Sequence, residues 1–108
     1  MKEFKKITQE QLEEILHKHE LWLEGKEGGK RADLSYIDLE NAYLRYAYLG
    51  YAKLQYAKLQ YANLENAYLG YVYLREADLK GAYLGGADLE GADLDGADLE
   101  DTILKKWN

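Results

Sequence analysis

The chain has 108 residues, no cysteine, no proline and a formal net charge of −6. This length corresponds to one domain, and the absence of cysteine excludes disulfides, zinc–thiolate sites and thiol catalysis. No apolar run approaches the roughly 20 residues of a membrane-spanning helix, and the first residues lack the apolar core of a signal peptide. We therefore expect a cytoplasmic protein with no membrane partner.

Residues 8–24 have the pattern of an amphipathic helix. Thr8 and Gln11 stand at the spacing of a capping box, in which each side chain bonds to the backbone of the other residue. Gly25 follows at a position where glycine commonly ends a helix. One apolar stripe is formed by Leu12, Ile15, Leu16, His19, Trp22 and Leu23. Residues 1–30 are therefore predicted to form a capping helix and a linker, with the stripe covering the start of the segment that follows.

A five-residue repeat begins after the linker. Leucine stands at every fifth position from Leu34 to Leu104, and the residue two positions earlier is alanine in twelve of the fifteen units. Neither a helix nor a straight strand keeps a five-residue period on one side. Short strands separated by regular corners do, with both apolar positions inside a narrow coil and neighbouring coils about 4.8 Å apart. The corners suit the glycines two positions after the leucine, which are Gly81, Gly86, Gly91 and Gly96. The repeat therefore predicts an all-β solenoid.

The charge pattern provides a test of the number of sides per coil, because opposite charges are expected to stack on neighbouring coils. A twenty-residue coil places Arg45 over Glu65 and gives six opposite-charge columns against one like-charge column, Asp78 over Asp98. A fifteen-residue coil gives five against one, and a twenty-five-residue coil gives three against three. The charges therefore exclude five sides and leave three and four open.

The units Ala-Asp-Leu-Glu-Gly, Ala-Asp-Leu-Asp-Gly and Ala-Asn-Leu-Glu-Asn resemble the pentapeptide-repeat family, whose pattern is Ala-(Asp/Asn)-Leu-X-X, and the resemblance covers residues 32–106. It implies a right-handed, quadrilateral parallel β-helix with twenty residues per coil. The repeat would then make about 3.75 coils within a domain at residues 31–108. The segment Thr-Gln-Glu-Gln-Leu-Glu-Glu-Ile-Leu also resembles the capping helix that precedes such repeats in bacterial and phage members. The chain departs from the pattern where tyrosine or lysine replaces Asp or Asn before the leucine.

Eleven tyrosines are predicted to lie on the outer surface of the coil. The pairs expected to stack on a twenty-residue coil are Tyr48–Tyr68, Tyr51–Tyr71 and Tyr36–Tyr56. Two interpretations are open: the rings only stabilise one another, or they form a contact face for a partner. The candidate partner contacts are Tyr43, Tyr46, Tyr48, Tyr51, Tyr68 and Tyr71.

The C-terminal repeats are acidic. Residues 76–101 carry nine acids against one lysine, whereas residues 1–75 are neutral. Direct nucleic-acid binding requires a basic surface and is disfavoured. Some members of the resembling family mimic a DNA duplex in shape and charge and bind DNA gyrase. The resemblance thus implies an alternative, a DNA-mimicking inhibitor or protector of gyrase or another DNA-handling protein. Its candidate acidic face consists of Asp78, Asp88, Asp93, Asp98 and Glu100.

No catalytic residue, cofactor or metal ion is predicted. Ser35 is the only serine and takes an outward repeat position, and the glycines past residue 50 follow the five-residue grid instead of a phosphate-binding loop. His17 and His19 point to different sides of the predicted helix and cannot share a metal. Most acids point apart, which disfavours calcium.

The last coil leaves an open apolar end. Trp107 is the candidate end cap or dimer contact, because it either covers this end or meets a second copy in a homodimer, as members of the resembling family often do. The sequence is therefore interpreted as a non-enzymatic, rigid, protein-binding scaffold with a tyrosine-rich and acidic surface and an unidentified protein partner. The alternatives are the DNA mimic and a redesigned repeat scaffold without a natural function.

Overall fold

The computed structural model describes residues 3–104. A short strand, β1 (Lys5–Lys6), precedes the helix α1 (Gln9–Leu23), and the repeat begins with a ladder that includes β2 (Ile37–Asp38). Trp107, the candidate end cap or dimer contact, lies outside the described residues.

Every isolated bridge of the repeat joins residues twenty positions apart in parallel, from Asp33–Lys53 to Tyr83–Ile103. Between bridges the chain turns once in five residues, because the third N–H after each leucine donates to the leucine carbonyl, as in 3.0 Å from Ala52 to Leu49. Four turns therefore close one coil, and the choice between three and four sides that the charges left open is resolved as four. The predicted count of about 3.75 coils includes residues beyond 104 and stays a prediction.

The leucines and the small residues fill the interior. Eleven successive leucines, from Leu34 to Leu84, are at most 4% exposed, and the alanines between them are similarly buried from Ala52 onward. Each buried leucine contributes about 1.5–3 kcal/mol relative to an exposed one. Burial decreases toward the C-terminal end, where Leu99 is 41% and Leu104 is 67% exposed. The predicted homodimer through this end stays a prediction.

The corner residue, two positions after each leucine, has a positive φ. The predicted glycine corners are confirmed, with φ between 67° and 73° at Gly81, Gly86, Gly91 and Gly96. The sequence did not reveal that tyrosine takes the same backbone conformation at six corners, with φ between 57° and 63°. The left-handed region costs a non-glycine residue about 1–2 kcal/mol, so each tyrosine corner must be held by its surroundings.

Asp or Asn before the leucine forms a local turn. The side-chain Oδ1 accepts the N–H two residues on, as from Asn63 to Glu65 at 3.1 Å and from Asp88 to Glu90 at 3.0 Å. Seven units do this, with acceptors Asp33, Asp38, Asn63, Asp78, Asp88, Asp93 and Asp98. Because an amide oxygen accepts as well as a carboxylate oxygen, either residue type serves this position.

The predicted helix is confirmed, with Thr8 as N-cap and Glu24 as C-cap. The Thr8 side chain accepts the Gln11 N–H at 3.0 Å, and the Gln11 side chain accepts the Thr8 N–H at 2.8 Å, which completes the capping box. Leu12 is buried in the same apolar cluster as the repeat leucines, and Ile15 and Leu16 pack against that cluster. The stripe therefore lies on the first coil from Leu12 to His19, whereas its last two predicted members, Trp22 and Leu23, stay 39% and 40% exposed.

His19 joins α1 to the first coil through both nitrogens of its buried ring. Nδ1 accepts the Ala32 N–H at 2.9 Å, and Nε2 lies 2.8 Å from the Gly50 carbonyl oxygen, so the neutral ring with its proton on Nε2 satisfies both groups. In later coils, the N–H two residues before each leucine, as in Ala52, donates to the preceding leucine carbonyl. The carbonyl one residue after each leucine, as in Gly70, accepts an N–H from the preceding coil. The imidazole therefore replaces two backbone bonds that an earlier coil would supply.

The strand β1 extends the ladder on another side of the first coil. It pairs in parallel with β2, with Lys5 opposite Ile37 and Lys6 opposite Asp38. Sequence patterns did not predict this pairing, because two lysines have neither apolar alternation nor a turn signal. Together, β1 and α1 supply hydrogen-bond partners to the N-terminal edge of the coil.

Candidate functional site

One side of the solenoid carries most of the candidate tyrosines. This side, called the tyrosine side, consists of residues 47–51, 67–71 and 87–91, which follow one another at the twenty-residue period. The sequence Tyr-Leu-Gly-Tyr at 48–51 therefore lies on the identical sequence at 68–71. Since the leucines point inward and are buried, the tyrosines and glycines face outward.

Two columns of tyrosine rings stand on the tyrosine side. Tyr48 and Tyr68 stack with centroids 4.8 Å apart and planes 7° apart, and Tyr51 and Tyr71 stack at 5.3 Å and 11°. Their side chains stay 47–49% exposed. The predicted stacking is confirmed, and each ring is held by a neighbour while it presents about half of its surface to solvent.

Between the two columns, Gly50 and Gly70 leave open space. A methyl group placed on Gly50 would meet only the Gly70 carbonyl oxygen, at 3.4 Å, and one on Gly70 would meet only the Glu90 carbonyl oxygen, at 3.7 Å. Both neighbours are backbone atoms, so the flanking rings do not fill this space. We call the strip above Gly50 and Gly70 the glycine groove, whose walls are the two tyrosine columns.

Two acids continue the glycine groove toward the C-terminal end. Asp88 pairs with Tyr68 in the ladder and so extends one wall. Glu90 follows Gly70 in the floor. Its carbonyl accepts the Tyr71 N–H at 2.8 Å, just as the Gly70 carbonyl accepts the Tyr51 N–H at 3.0 Å. Both acids are exposed.

Acids also stand at the opposite end, where α1 finishes. Glu20, Leu23 and the C-cap Glu24 line a surface depression of about 290 Å³ together with Tyr48. Glu24 forms an ion pair with Lys26 at 2.6 Å. That end therefore adds an apolar surface and one acid, Glu20, whose charge is not balanced by such a pair within residues 3–104.

The other two candidate contacts lie beside the tyrosine side. Tyr46 occupies the corner that leads into it, with the Arg45 guanidinium 5.4 Å from its ring centroid. Tyr43 lies on the preceding side, is 76% exposed and pairs with Asn63 in the ladder. The structure therefore brings four of the six candidate tyrosines together and leaves Tyr43 apart.

The five acids of the candidate mimic face lie on three sides of the coil. The ladder places Asp98 on Asp78, and Glu100 follows on the same side. Asp88 lies on the tyrosine side, and Asp93 lies on the side between these two. The negative charge is thus distributed around the C-terminal coils.

A cation–aromatic cluster was not visible in the sequence. The Arg31 guanidinium carbon lies 4.8 Å from the Tyr73 ring centroid and 5.8 Å from that of Trp22, and Arg31 Nε donates to the Tyr51 carbonyl at 2.6 Å. Residues 31 and 73 are distant in sequence, so only the coil geometry reveals their contact. Surface rings of this protein therefore already receive guanidinium groups.

Residues 3–104 contain neither the side-chain arrangement of a metal site nor a membrane-spanning helix. Within that range, no group of three or more histidine, aspartate or glutamate side chains is arranged to hold a metal ion. No helix in the described part of the chain is long and apolar enough to cross a bilayer.

The chain is similar to solved pentapeptide repeat proteins. Rfr23 from the cyanobacterium Cyanothece 51142 is 41% identical, with a TM-score of 0.55, over 69% of this chain and 54% of that one. A protein from the Arabidopsis thaliana thylakoid lumen is 32% identical, with a TM-score of 0.49, over 68% and 48% of the two chains. HetL, involved in heterocyst differentiation regulation in Nostoc sp. PCC 7120, is 40% identical, with a TM-score of 0.45, over 70% and 38%. This chain thus spans about half or less of the length of these relatives. Comparison with curated proteins finds no match.

A family model of pentapeptide repeats matches residues 30–55, 47–81 and 73–106, with eight copies. Proteins of this family form right-handed β-helices and are generally structural, protein-interacting modules without catalytic activity. The five-residue turns and the twenty-residue ladder described above agree with that fold. By the extent of this match, the chain belongs to the pentapeptide-repeat family.

Proposed function

We propose that this protein is a non-enzymatic scaffold that binds a protein partner through the tyrosine side. The observation that carries the proposal is the pair of columns, Tyr48–Tyr68 and Tyr51–Tyr71, whose stacked rings stay half-exposed on one side. Tyrosine offers a large contact area with few rotatable bonds and a polar tip, which is why it is common in binding surfaces.

Self-stacking supports binding in this arrangement. An immobilised side chain costs about 0.5–1.5 kcal/mol when it becomes ordered only on association. The stacked rings are already restricted, and the backbone beneath Tyr51 and Tyr68 is held by ladder bonds of 3.0 and 2.9 Å. The rings therefore lose less entropy when a partner covers them.

The helix α1 acts as the N-terminal cap of this scaffold. A solenoid requires a terminal segment that covers the open coil and offers a polar outer surface. The contacts of Leu12 and His19 with the first coil support this role, as does the exposed charge of Glu13 and Glu14 on the opposite side of α1. A capped first coil keeps the tyrosine columns in register.

The proposal is tested by capture from an extract of the organism that encodes the protein. The variant replaces Tyr48, Tyr51, Tyr68 and Tyr71 with serine, and we expect it to retain less than about a tenth of the captured partner. The matched control is Tyr36→Ser with Tyr56→Ser, which removes a stack of the same geometry, 4.9 Å and 7°, from another side. Undiminished capture by the quadruple variant would refute the proposal.

Thermal unfolding of the same variants separates binding from stability. Each stacked pair contributes about 0.5–1.5 kcal/mol, so both variants should stay folded at the temperature of the capture experiment. The control variant should lose as much stability per tyrosine pair as the quadruple variant does, and still capture the partner normally. The loss of capture by the quadruple variant is then due to the tyrosine side and not to lower stability.

A DNA-mimicking role is the alternative for the acidic coils. Its support is the local excess of acids, although their distribution over three sides favours it less than one continuous face would. A gyrase supercoiling assay tests it directly. Unchanged gyrase activity at high micromolar concentrations of this protein would reject the role toward that enzyme.

A further inference from the structure

We propose that the glycine groove binds an extended, arginine-containing segment of the partner. This inference rests on the proposed function and names the chemistry of what the tyrosine side recognises. Three features carry it: a floor without side chains, two aromatic walls, and acidic residues at the ends.

The floor admits a peptide backbone. Gly50 and Gly70 have no side chain, and the atoms nearest to an added methyl group are backbone carbonyl oxygens. At the same repeat position the next side carries Gln55, the opposite side carries Gln60, and the remaining side carries Arg45, Glu65 and Gly85. Two successive glycines therefore occur at this position on the tyrosine side alone. A close approach between two backbones commonly requires glycine.

The walls suit guanidinium groups. Arginine stacks on aromatic faces more often than lysine does, because its planar cation is weakly hydrated. Within the described residues, two arginines already contact tyrosine rings, with Arg31 at 4.8 Å from the Tyr73 centroid and Arg45 at 5.4 Å from the Tyr46 centroid. Stacking covers the inner faces of Tyr48 and Tyr68 and leaves their outer faces, toward Glu20 and toward Asp88, for arginines from another chain.

The charges favour a basic ligand. Asp88 and Glu90 are exposed at the C-terminal end of the groove, and within residues 3–104 neither takes part in an ion pair with a lysine or arginine. Glu20 adds one acid at the opposite end, while Glu24 is paired with Lys26. A cationic segment is thus attracted to both ends, and an acidic segment or a nucleic acid is repelled.

The dimensions fit a short segment. Tyr48, Tyr68 and Asp88 follow one another at the coil spacing of about 4.8 Å, so they span about 10 Å. An extended peptide advances about 3.3 Å per residue, and three residues cover this distance. In an Arg-Gly-Arg segment, the two arginines lie about 7 Å apart on one side, and the glycine keeps the backbone close to the floor.

The first test measures binding of a fluorescent (Arg-Gly)4 peptide to the full chain by fluorescence anisotropy, with (Gln-Gly)4 and (Glu-Gly)4 as matched peptides. We expect (Arg-Gly)4 to bind at least about tenfold more tightly than (Gln-Gly)4, because several cation–π contacts and the acids act together. The variant Gly50→Gln with Gly70→Gln fills the groove with the residue found at positions 55 and 60, and it should weaken binding about tenfold. Its control, Gly50→Ala with Gly70→Ala, adds only methyl groups, which fit at 3.4 and 3.7 Å from the nearest carbonyl oxygens, and its affinity should stay within about threefold.

The second test separates local charge from overall charge. Asp88→Asn with Glu90→Gln removes two charges at the groove, and Asp98→Asn with Glu100→Gln removes two at the same repeat positions on another side. Both pairs preserve the side-chain acceptor for the local turn. The first variant should bind about three- to tenfold more weakly and with a smaller salt dependence, and the second should stay within about twofold in affinity.

Equal binding of the three peptides, or full affinity of the glutamine-filled variant, overturns the inference. If in that case the quadruple tyrosine-to-serine variant still loses its cellular partner, the proposed function stands and only the arginine chemistry is rejected. If (Arg-Gly)4 binds in the groove but capture does not depend on the four tyrosines, the groove chemistry stands and the proposed function fails.

Discussion

Replacement of His19 should destabilise the protein more than any other single change in the C-terminal half of α1. The ring is fully buried and bonds to the Ala32 N–H and the Gly50 carbonyl, the two groups that no earlier coil can satisfy. It also stacks with Trp22 at 5.5 Å and 23°. The expected consequence of His19→Ala is a large fall in the free energy of unfolding.

The magnitude follows from the groups that lose their partners. An unsatisfied buried donor or acceptor costs about 1–3 kcal/mol, so two of them give about 2–6 kcal/mol. The lost ring contacts add a cavity term, and partial entry of water reduces the total, so we expect about 3–5 kcal/mol for His19→Ala. His19→Leu keeps apolar volume but removes both bonds, and it should cost about 2–4 kcal/mol.

Urea unfolding followed by far-UV circular dichroism measures these differences. His17→Ala is the matched control, because His17 is exposed on the same helix and should change stability by less than about 0.5 kcal/mol. If His19→Leu is as stable as the parent protein, or if His19→Ala costs no more than His17→Ala, the imidazole does not replace missing backbone bonds.

Three further predictions concern the protonation of His19, the local turn at Asp88 and the corner at Gly81. Burial lowers the pKa of His19 below its ordinary value of 6.5, with the Gly50 bond raising it and Arg31 lowering it, so the unfolded chain binds the proton more readily than the folded one. The parent should therefore exceed His19→Leu in stability by its full amount above about pH 6.5. Below that pH the difference should shrink, by at most about 1.4 kcal/mol per pH unit. A difference that grows in acid would contradict this. Asp88→Ala should lose about 1 kcal/mol in thermal unfolding, whereas Asp88→Asn keeps the acceptor for the Glu90 N–H and should stay within about 0.5 kcal/mol; equal losses would show that the side-chain bond is unimportant. Gly81→Ala should lose about 1–3 kcal/mol in urea unfolding, because φ is 68° and the added methyl would lie 2.5 Å from the Tyr61 ring; a loss as small as that of Gly70→Ala argues against the corner geometry.

The sequence was sufficient for the architecture because side-chain period determines it. A leucine every five residues with a small residue two positions before it can fill only a narrow coil with regular corners, and both positions are buried from Ala52 to Leu84. The stacked tyrosine pairs followed from the twenty-residue period once four sides were assumed. Charges alone could not distinguish a fifteen-residue from a twenty-residue coil. The comparison depends on a few charged side chains, and opposite charges can be stacked about equally well in both coils.

What the sequence missed concerns backbone groups. The two bonds of His19, the pairing of β1 and the positive φ of the tyrosine corners all depend on which N–H and carbonyl groups an edge or corner leaves unsatisfied. Side-chain patterns do not report these groups. The glycine groove was missed for a related reason: Gly50 and Gly70 fit the repeat without exception, and only their position between two tyrosine columns makes them an opening.

Site-specific crosslinking tests the central claim, that the tyrosine side is the binding surface, most directly. A photoreactive p-benzoylphenylalanine takes the place of Tyr68 on the tyrosine side or, as the matched position, of Tyr56 in the stack on another side. After irradiation in cells, we predict a discrete adduct from position 68 and none from position 56. Adducts of equal yield from both positions, or an adduct from position 56 alone, would contradict the account.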